Sequence, residues 1–378
     1  MKIVDRGIVF DGSSARPEAR FCITPGVACL TNGRLVASFR AGRAKESSDE
    51  DIRVMSSDDN GATWHLQFAG FGDYLSGGRR GRIRSVALTE ISPNKLIGSF
   101  IWFDRTDPTL QITNPETTGV LASKIFVAES DDAGHSWAPL REVPVTPHKG
   151  VSATGSNVLV LRDGTLALPY EAWKDYYDTS PGVHHAALRL SSDGGKNWTG
   201  PVITDNDLQR GRILYWDQHL SIHPDDGRLL AMFWTHDQQL QQDLPIHIAW
   251  GSPDAKEWTP PVSTGIAGQI TAPIVLPGDR VLAVYNHRHN PPGIRAILSE
   301  DFGQSWRTEE ELVLYGKTLG GGEAGMGGKR DWSDYWEDFK RWTFGMPTVC
   351  LLPNGDVMAM YYAGDTEAMS IHWVRIAL

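Results

Sequence analysis

One pattern recurs along this chain and narrows its fold more than any other feature. Ser57-x-Asp59-x-Gly61-x-x-Trp64 returns as Ser130-x-Asp132-x-Gly134-x-x-Trp137, as Ser191-x-Asp193-x-Gly195-x-x-Trp198 and as Ser299-x-Asp301-x-Gly303-x-x-Trp306. A degraded copy reads Ser252-Pro253-Asp254-Ala255-Lys256-Glu257-Trp258. Such self-similarity marks a repeat architecture. Each position has a mechanical reason. The Asp carboxylate accepts backbone N–H groups inside a tight turn, the Gly supplies a positive φ, the Ser caps the incoming strand end, and the Trp anchors the hairpin by packing over it. The box aspartates are therefore structural, not catalytic.

A second repeat lies upstream of each box: an apolar strand, a turn with Asn or Asp beside Gly, and another apolar strand. Val27–Leu30, Asn32-Gly33 and Leu35–Phe39 give one example, and Val349–Leu352, Asn354-Gly355 and Val357–Tyr361 another. These are hairpin signals with strands apolar on both faces, as strands between neighbouring sheets must be. Six such units are present. They predict an all-β, six-bladed β-propeller of four-stranded antiparallel blades, one domain over 1–378. The N-terminal strand 3–10 is expected to close the last blade beside 370–376, which protects the sheet edges. The segment 316–341, with Gly320-Gly321-Gly322 and Gly325 to Gly328, is the main irregular insertion and a candidate lid.

The formal net charge of -10 argues against a nucleic-acid partner. No apolar stretch is long enough to span a membrane. The N-terminal Met1–Arg6 is too charged for a secretory leader, and Cys22, Cys29 and Cys350 suit neither a disulfide framework nor a zinc site, so a cytoplasmic location is expected. No cofactor and no metal are expected.

In a propeller the first strand of each blade lines the channel, and the loops after the second strand meet at one mouth. The polar residues at those positions are rich in charge and aromatics. The first two blades offer Arg40, Arg43, Glu46, Asp49, Asp51, Arg82, Arg84, Trp102, Asp104 and Arg105, and the next two offer Glu171, Trp173, His184, Trp216, Asp217, His219, Trp234 and His236. The last two add His287, Arg288, His289, Arg295, Tyr361 and Tyr362. Arginines converging on one basin clamp a carboxylate by charge-assisted bonds, aromatic rings cover a sugar face, and carboxyl groups protonate a leaving oxygen. The candidate catalytic residues are Asp49, Glu171, Asp217, His219 and Tyr361. The candidate substrate-binding residues are Arg40, Arg43, Arg84, Trp102, Arg105, Trp173, His236, His287, Arg288 and Arg295.

The four boxes resemble the Asp-boxes of the sialidase superfamily, and the chain is similar to that family in repeat and blade count over nearly its whole length. The resemblance implies that the boxes sit between the third and fourth strands of their blades, away from the active site. It also implies that Asp49, in the stretch that opens Phe39-Arg40-Ala41-Gly42-Arg43, is the general acid, with Glu46 and Asp51 as competitors. In Asn290-Pro291-Pro292-Gly293-Ile294-Arg295, Arg295 stands for a carboxylate-binding arginine, with Arg288 as competitor. The sequence departs from the family at Phe21-Cys22-Ile23-Thr24-Pro25, where Cys22 replaces an arginine, and no Glu-Pro motif is evident. The expected function is a sialidase-like exo-glycosidase acting on a terminal acidic sugar of an oligosaccharide. The alternatives are a lyase acting on a uronate-containing glycan, for which His184, His219, His236, His287 and His289 supply acid–base groups, and a carbohydrate-binding propeller without catalysis.

Overall fold

The computed structural model describes residues 1–152, 156–181, 184–205, 211–316, 329–331 and 334–378. Strands dominate it, and the principal helix is Asp334–Arg341. Two four-stranded antiparallel runs share one sheet. The first is Phe21–Cys29, Leu35–Gly42, Asp51–Ser57 and His65–Phe68. The second is Phe344–Leu351, Val357–Gly364 and Met369–Ala377, edged by Lys2–Phe10. A single parallel pair, Phe21 with Met369, joins the two runs. Lys2 pairs with Ala377 and Phe10 with Ile371, so the two ends of the chain lie in one sheet as expected.

The other four sheets are antiparallel. One holds Asp73–Ser76, Arg79–Ser92, Lys95–Asp104, Ser123–Ser130 and Arg141–Val143. The next holds Leu166–Trp173, His185–Ser191 and Thr199–Ile203, with Gly150–Ser152 and Leu159–Val160 both on the edge of Leu166–Trp173. Ile213–Ile222, Leu229–Asp237, Gln242–Gly251 and Val262–Ser263 form another, and Thr271–Leu276, Arg280–His287, Gly293–Ser299 and Leu312–Gly316 the last.

The innermost strands pack on one another in turn. Phe344–Leu351 meets Phe21–Cys29, which meets Arg79–Ser92, while Ile213–Ile222 meets Thr271–Leu276, which returns to Phe344–Leu351. Thr89 Oγ1, on Arg79–Ser92, donates to the Val158 carbonyl at 2.7 Å, and the sheet that follows Val158 meets Ile213–Ile222 through Leu159–Val160 and Leu166–Trp173. The sheets thus stand as the blades of a propeller. Leu35–Gly42 is buried at every residue, the signature of a strand covered on both faces. Among the described residues no helix is long and apolar enough to cross a membrane.

Each intact box falls on the turn between the third and outer strands of its sheet. Asp59 Oδ1 accepts the Thr63 N–H at 2.8 Å and the Ser57 hydroxyl at 2.8 Å, while Ser57 Oγ accepts the Gly61 N–H at 2.9 Å. The Ser thus bridges the Asp and the turn instead of capping the strand end. Ser130 and Asp132, Ser191 and Asp193, and Ser299 and Asp301 repeat that contact. In the insertion, Gly320-Gly321-Gly322 and Gly325 to Gly328 lie outside the described residues. The described part ends in the Asp334–Arg341 helix, whose Tyr335 and Phe339, one turn apart, are buried against the propeller.

Candidate functional site

A cavity of about 160 Å³ opens where the inner ends of the sheets meet the Asp334–Arg341 helix. Its residues come from strands distant in sequence, and four groups give it chemical character.

The first is an arginine cluster. Arg40 and Arg84 line the cavity together with Glu46. Behind them Glu50, 1% exposed, faces three guanidinium groups: Arg40 at 3.3 Å, Arg84 at 3.0 Å and Arg105 at 3.1 Å. Glu46 adds a contact to Arg84 at 3.3 Å. Three buried cations thus share two carboxylates, which leaves net positive charge at the cavity wall. Burial, reinforced by Arg84, lowers the Arg40 guanidinium to about 9, so it stays charged at neutral pH.

The second is a carboxyl pair. Glu171 lies near the end of Leu166–Trp173, and Asp217 occupies an irregularity in Ile213–Ile222 where the pairing skips from Trp216 to His219. There Asp217 adopts φ 45°, an unfavourable backbone for a residue with a side chain, and strain of this kind concentrates at functional sites. The bulge aims the Asp217 N–H at Glu171 Oε1, and the Trp173 indole N–H donates to Oε2 at 3.0 Å. Burial and then the neighbouring Asp217 push the Glu171 carboxyl well above the usual carboxylate range. Burial pushes Asp217 up to about 7. Two neighbouring buried carboxyls oppose one another's ionisation.

The third is Arg288. Its guanidinium lies 4.1 Å from the Trp342 ring centre and 4.3 Å from that of Phe344, and it donates to the Phe344 carbonyl at 2.7 Å. Gly345 makes room for this: a Cβ there would stand 2.8 Å from Arg288 Nη2 and 3.1 Å from the Tyr362 hydroxyl. Arg288 and Tyr362 therefore approach one another over a backbone that carries no side chain.

The fourth is an aromatic wall of Trp173, Trp216, Trp234, Trp336 and Trp342, with Tyr335 and Phe339. The helix that supplies part of it is tied down at both ends. The Tyr335 hydroxyl donates to Asp243 at 2.7 Å, and Lys45 Nζ donates to the carbonyls of Phe339 and Trp342 at the helix C-terminus.

Of the residues singled out in the sequence, Arg40, Glu46, Arg84, Glu171, Trp173, Trp216, Asp217, Trp234, Arg288 and Tyr362 meet at this cavity. The others stand elsewhere. Arg105 is one layer behind, on Glu50. Asp49 and exposed Arg43 bind each other at 2.8 Å, away from the wall. Trp102 is packed in a sheet interface with its N–H on the Tyr74 carbonyl at 2.9 Å. His219 is buried on the inner strand. His236 is stacked flat on Trp216 at 5.7 Å and lies 3.3 Å from Asp243. His287 Nδ1 is 3.1 Å from the Pro291 carbonyl. Arg295 is held by Glu311 at 2.5 Å. Tyr361 is stacked on His372 at 5.8 Å, and burial raises its phenol well above its ordinary value; its neighbour Tyr362, pointing the other way along the strand, is the one at the cavity.

The histidines do not gather into one group. His184 accepts the Trp216 indole N–H at 2.9 Å, and burial lowers it to about 3, which keeps it neutral. Among the described residues no group of three His, Cys, Asp or Glu side chains is placed to hold a metal ion. Sequence reasoning missed Glu50, Lys45, Asn286 and the helix aromatics. For the helix a signal existed: Tyr335, Phe339 and Trp342 recur at helical spacing inside the insertion.

The comparisons agree with this frame. Residues 101–357 match the BNR repeat-like domain, and the chain belongs to that family. A protein of unknown function from Dyadobacter fermentans superposes with a TM-score of 0.72 at 18% identity, covering 100% of this chain and 99% of the other. Trypanosoma rangeli sialidase gives 0.64 at 14% identity, with 94% of this chain covered but only 55% of the sialidase. The NanB sialidase of Streptococcus pneumoniae gives 0.62 at 12% identity, covering 98% and 70%. This chain thus spans little more than half the length of the trypanosomal enzyme. No curated protein matches it in sequence. Identities this low establish a shared sialidase-like propeller fold.

Proposed function

We propose that the chain forms one propeller of six blades over 1–378 and acts as a sialidase-like exo-glycosidase on a terminal acidic sugar. One observation carries the reading: two carboxyls, Glu171 and Asp217, whose hold on a proton burial strengthens, line the same cavity as Arg40, Arg84 and Arg288. The count of six treats the joined eight-stranded sheet as two blades, separated at the single Phe21–Met369 pair.

Arg40, Arg84 and Arg288 take the sugar carboxylate, the tryptophans cover the ring, and the Glu171–Asp217 pair delivers its shared proton to the leaving glycosidic oxygen. This pair takes the acid role in place of Asp49, whose carboxylate is bound by Arg43. Tyr362, beside Arg288, is the candidate nucleophile in place of Tyr361, following the tyrosine exception to the two-carboxylate scheme. As the C–O bond breaks, the Tyr362 oxygen bonds to the anomeric carbon and its phenolic proton passes to the pair, which has just given one to the leaving oxygen. Water then attacks the anomeric carbon: its oxygen stays on the sugar, one of its protons goes to the pair, and the pair returns a proton to the departing Tyr362 oxygen.

The test is turnover of 4-methylumbelliferyl glycosides of N-acetylneuraminic acid, glucuronic acid and glucose. Release from an acidic glycoside alone is expected, with kcat lowered about 100-fold or more in Asp217→Asn and KM raised in Arg288→Ala. Binding of the acidic sugars without turnover would instead define a carbohydrate-binding propeller. The absorbance of an unsaturated uronate would define a lyase.

A further inference from the structure

The strand Arg280–His287 sends alternate side chains to different neighbours. Ala283 and Tyr285 pack with Leu230 and Ile246, whereas Leu282 and Val284 pack with Phe344 and Ala359. Asn286 has the parity of the second set, and Arg288, two residues on, reaches Phe344 and Trp342. Asn286 and Arg288 both line the cavity.

The backbone of Asn286 is fully engaged. Its N–H donates to the Ile270 carbonyl at 3.0 Å, and its carbonyl accepts the Gln269 N–H at 3.0 Å. Its side chain is 0% exposed, yet neither Oδ1 nor Nδ2 has a hydrogen-bond partner. The indole N–H of Trp234, in the same wall, is also without one. A sealed amide with both functions unmet destabilises the fold, and a leucine of similar size would not. Such orphaned groups call for a reason. Arg288 reads negative charge; Asn286 presents one neutral donor and one neutral acceptor, which is the complement of a hydroxyl group.

We infer that Asn286, with the Trp234 indole, forms a subsite that reads a hydroxyl on the ligand ring, beside the arginines that take its carboxylate. The acidic-sugar reading names the ligand class; the subsite adds which residues read one of its hydroxyl groups. This rests on the acidic-sugar reading above.

Calorimetry on the full chain with D-glucuronate, N-acetylneuraminate and cyclohexanecarboxylate, the last an acid whose ring has no hydroxyl, separates the two. The parent is expected to prefer at least one sugar acid over cyclohexanecarboxylate by tenfold or more. Asn286→Leu and Asn286→Ala should each weaken that sugar acid at least tenfold while leaving cyclohexanecarboxylate within twofold, and Asn286→Leu should unfold at no lower temperature than the parent. An unchanged preference in both variants, a markedly lower unfolding temperature for Asn286→Leu, or no binding of any probe to the parent would overturn the inference. If Arg288→Ala and Arg40→Ala bind all three probes as the parent does, the acidic-sugar reading fails, while the preference for hydroxyls and its loss in the Asn286 variants still decide the subsite.

Discussion

Asp217→Asn is the substitution whose consequence follows most directly from the site. Asp217 sits at about 7 in the folded protein against an ordinary 3.8, because burial opposes its charge. For an acid raised in this way the folded state binds the proton more tightly than the unfolded chain. The group therefore favours folding fully below its unfolded value near 4, and that contribution is lost as pH rises toward about 7 and beyond. The gap between 3.8 and about 7, at roughly 1.36 kcal/mol per pH unit, amounts to about 4 kcal/mol. Asp217 keeps part of its surface open in the cavity, and local relaxation softens the penalty further. The expected gain at pH 8 is thus about 1–3 kcal/mol over the parent, shrinking toward zero at pH 4. Asn preserves the shape and the backbone N–H that Glu171 accepts. Glu171→Gln is a less clean probe, because the amide would turn an N–H toward one of the two donors that Glu171 now accepts. The assay is urea unfolding followed by tryptophan fluorescence at pH 4.5, 6 and 8. A variant less stable than the parent at pH 8, or a difference that does not change with pH, would refute a buried proton-sharing pair.

Two further predictions test the frame and the arginine platform. Gly134→Ala, in the second box, forces a Cβ to φ +92° and to 3.0 Å from Val54 Cγ1; it should cost about 1–2 kcal/mol of stability while leaving kcat on an acidic glycoside unchanged, read by urea unfolding beside a rate assay. Trp342→Ala removes one of the two rings on which Arg288 rests; with a stacked cation worth about 1–2 kcal/mol in a desolvated site, KM for an acidic substrate should rise about tenfold, and far less for a neutral one.

The frame was legible because its signals are local. Each Ser-x-Asp-x-Gly-x-x-Trp box closes hydrogen bonds within eight residues, so the box carries its own geometry in any context. The site was only half legible, because its decisions are made across sheets. In sequence Arg295 takes the role with Arg288 as competitor, but Glu311, just ahead of the next strand, captures Arg295, and Trp342 and Phe344 receive Arg288. Tyr361 and Tyr362 differ by one position in a strand, and that parity alone sends one to His372 and the other to the cavity. Glu50 looked like any loop acid until the fold closed three guanidinium groups around it. The added hairpin of Asp73–Ser76 with the start of Arg79–Ser92 was readable in principle from Gly77-Gly78, which turn at positive φ between them.

Putting the arginines and the carboxyl pair around one cavity couples binding to proton affinity. A ligand carboxylate seated against Arg40, Arg84 and Arg288 adds a negative charge where the Glu171–Asp217 pair already resists ionisation. At a separation of about 10 Å and an effective dielectric of about 20, that charge opposes loss of the shared proton by about 1.7 kcal/mol, or roughly one pH unit. The pair must be protonated to act as an acid, so the alkaline fall in rate reports its upper titration. The profile of kcat/KM reflects the free enzyme and that of kcat the loaded one. The alkaline limb of kcat should therefore lie at higher pH than that of kcat/KM by up to about one unit for an acidic glycoside. The two limbs should coincide for any slow neutral substrate. Coincident limbs with an acidic substrate, or a kcat limb displaced to lower pH, would mean that the anion and the proton occupy electrically separate places.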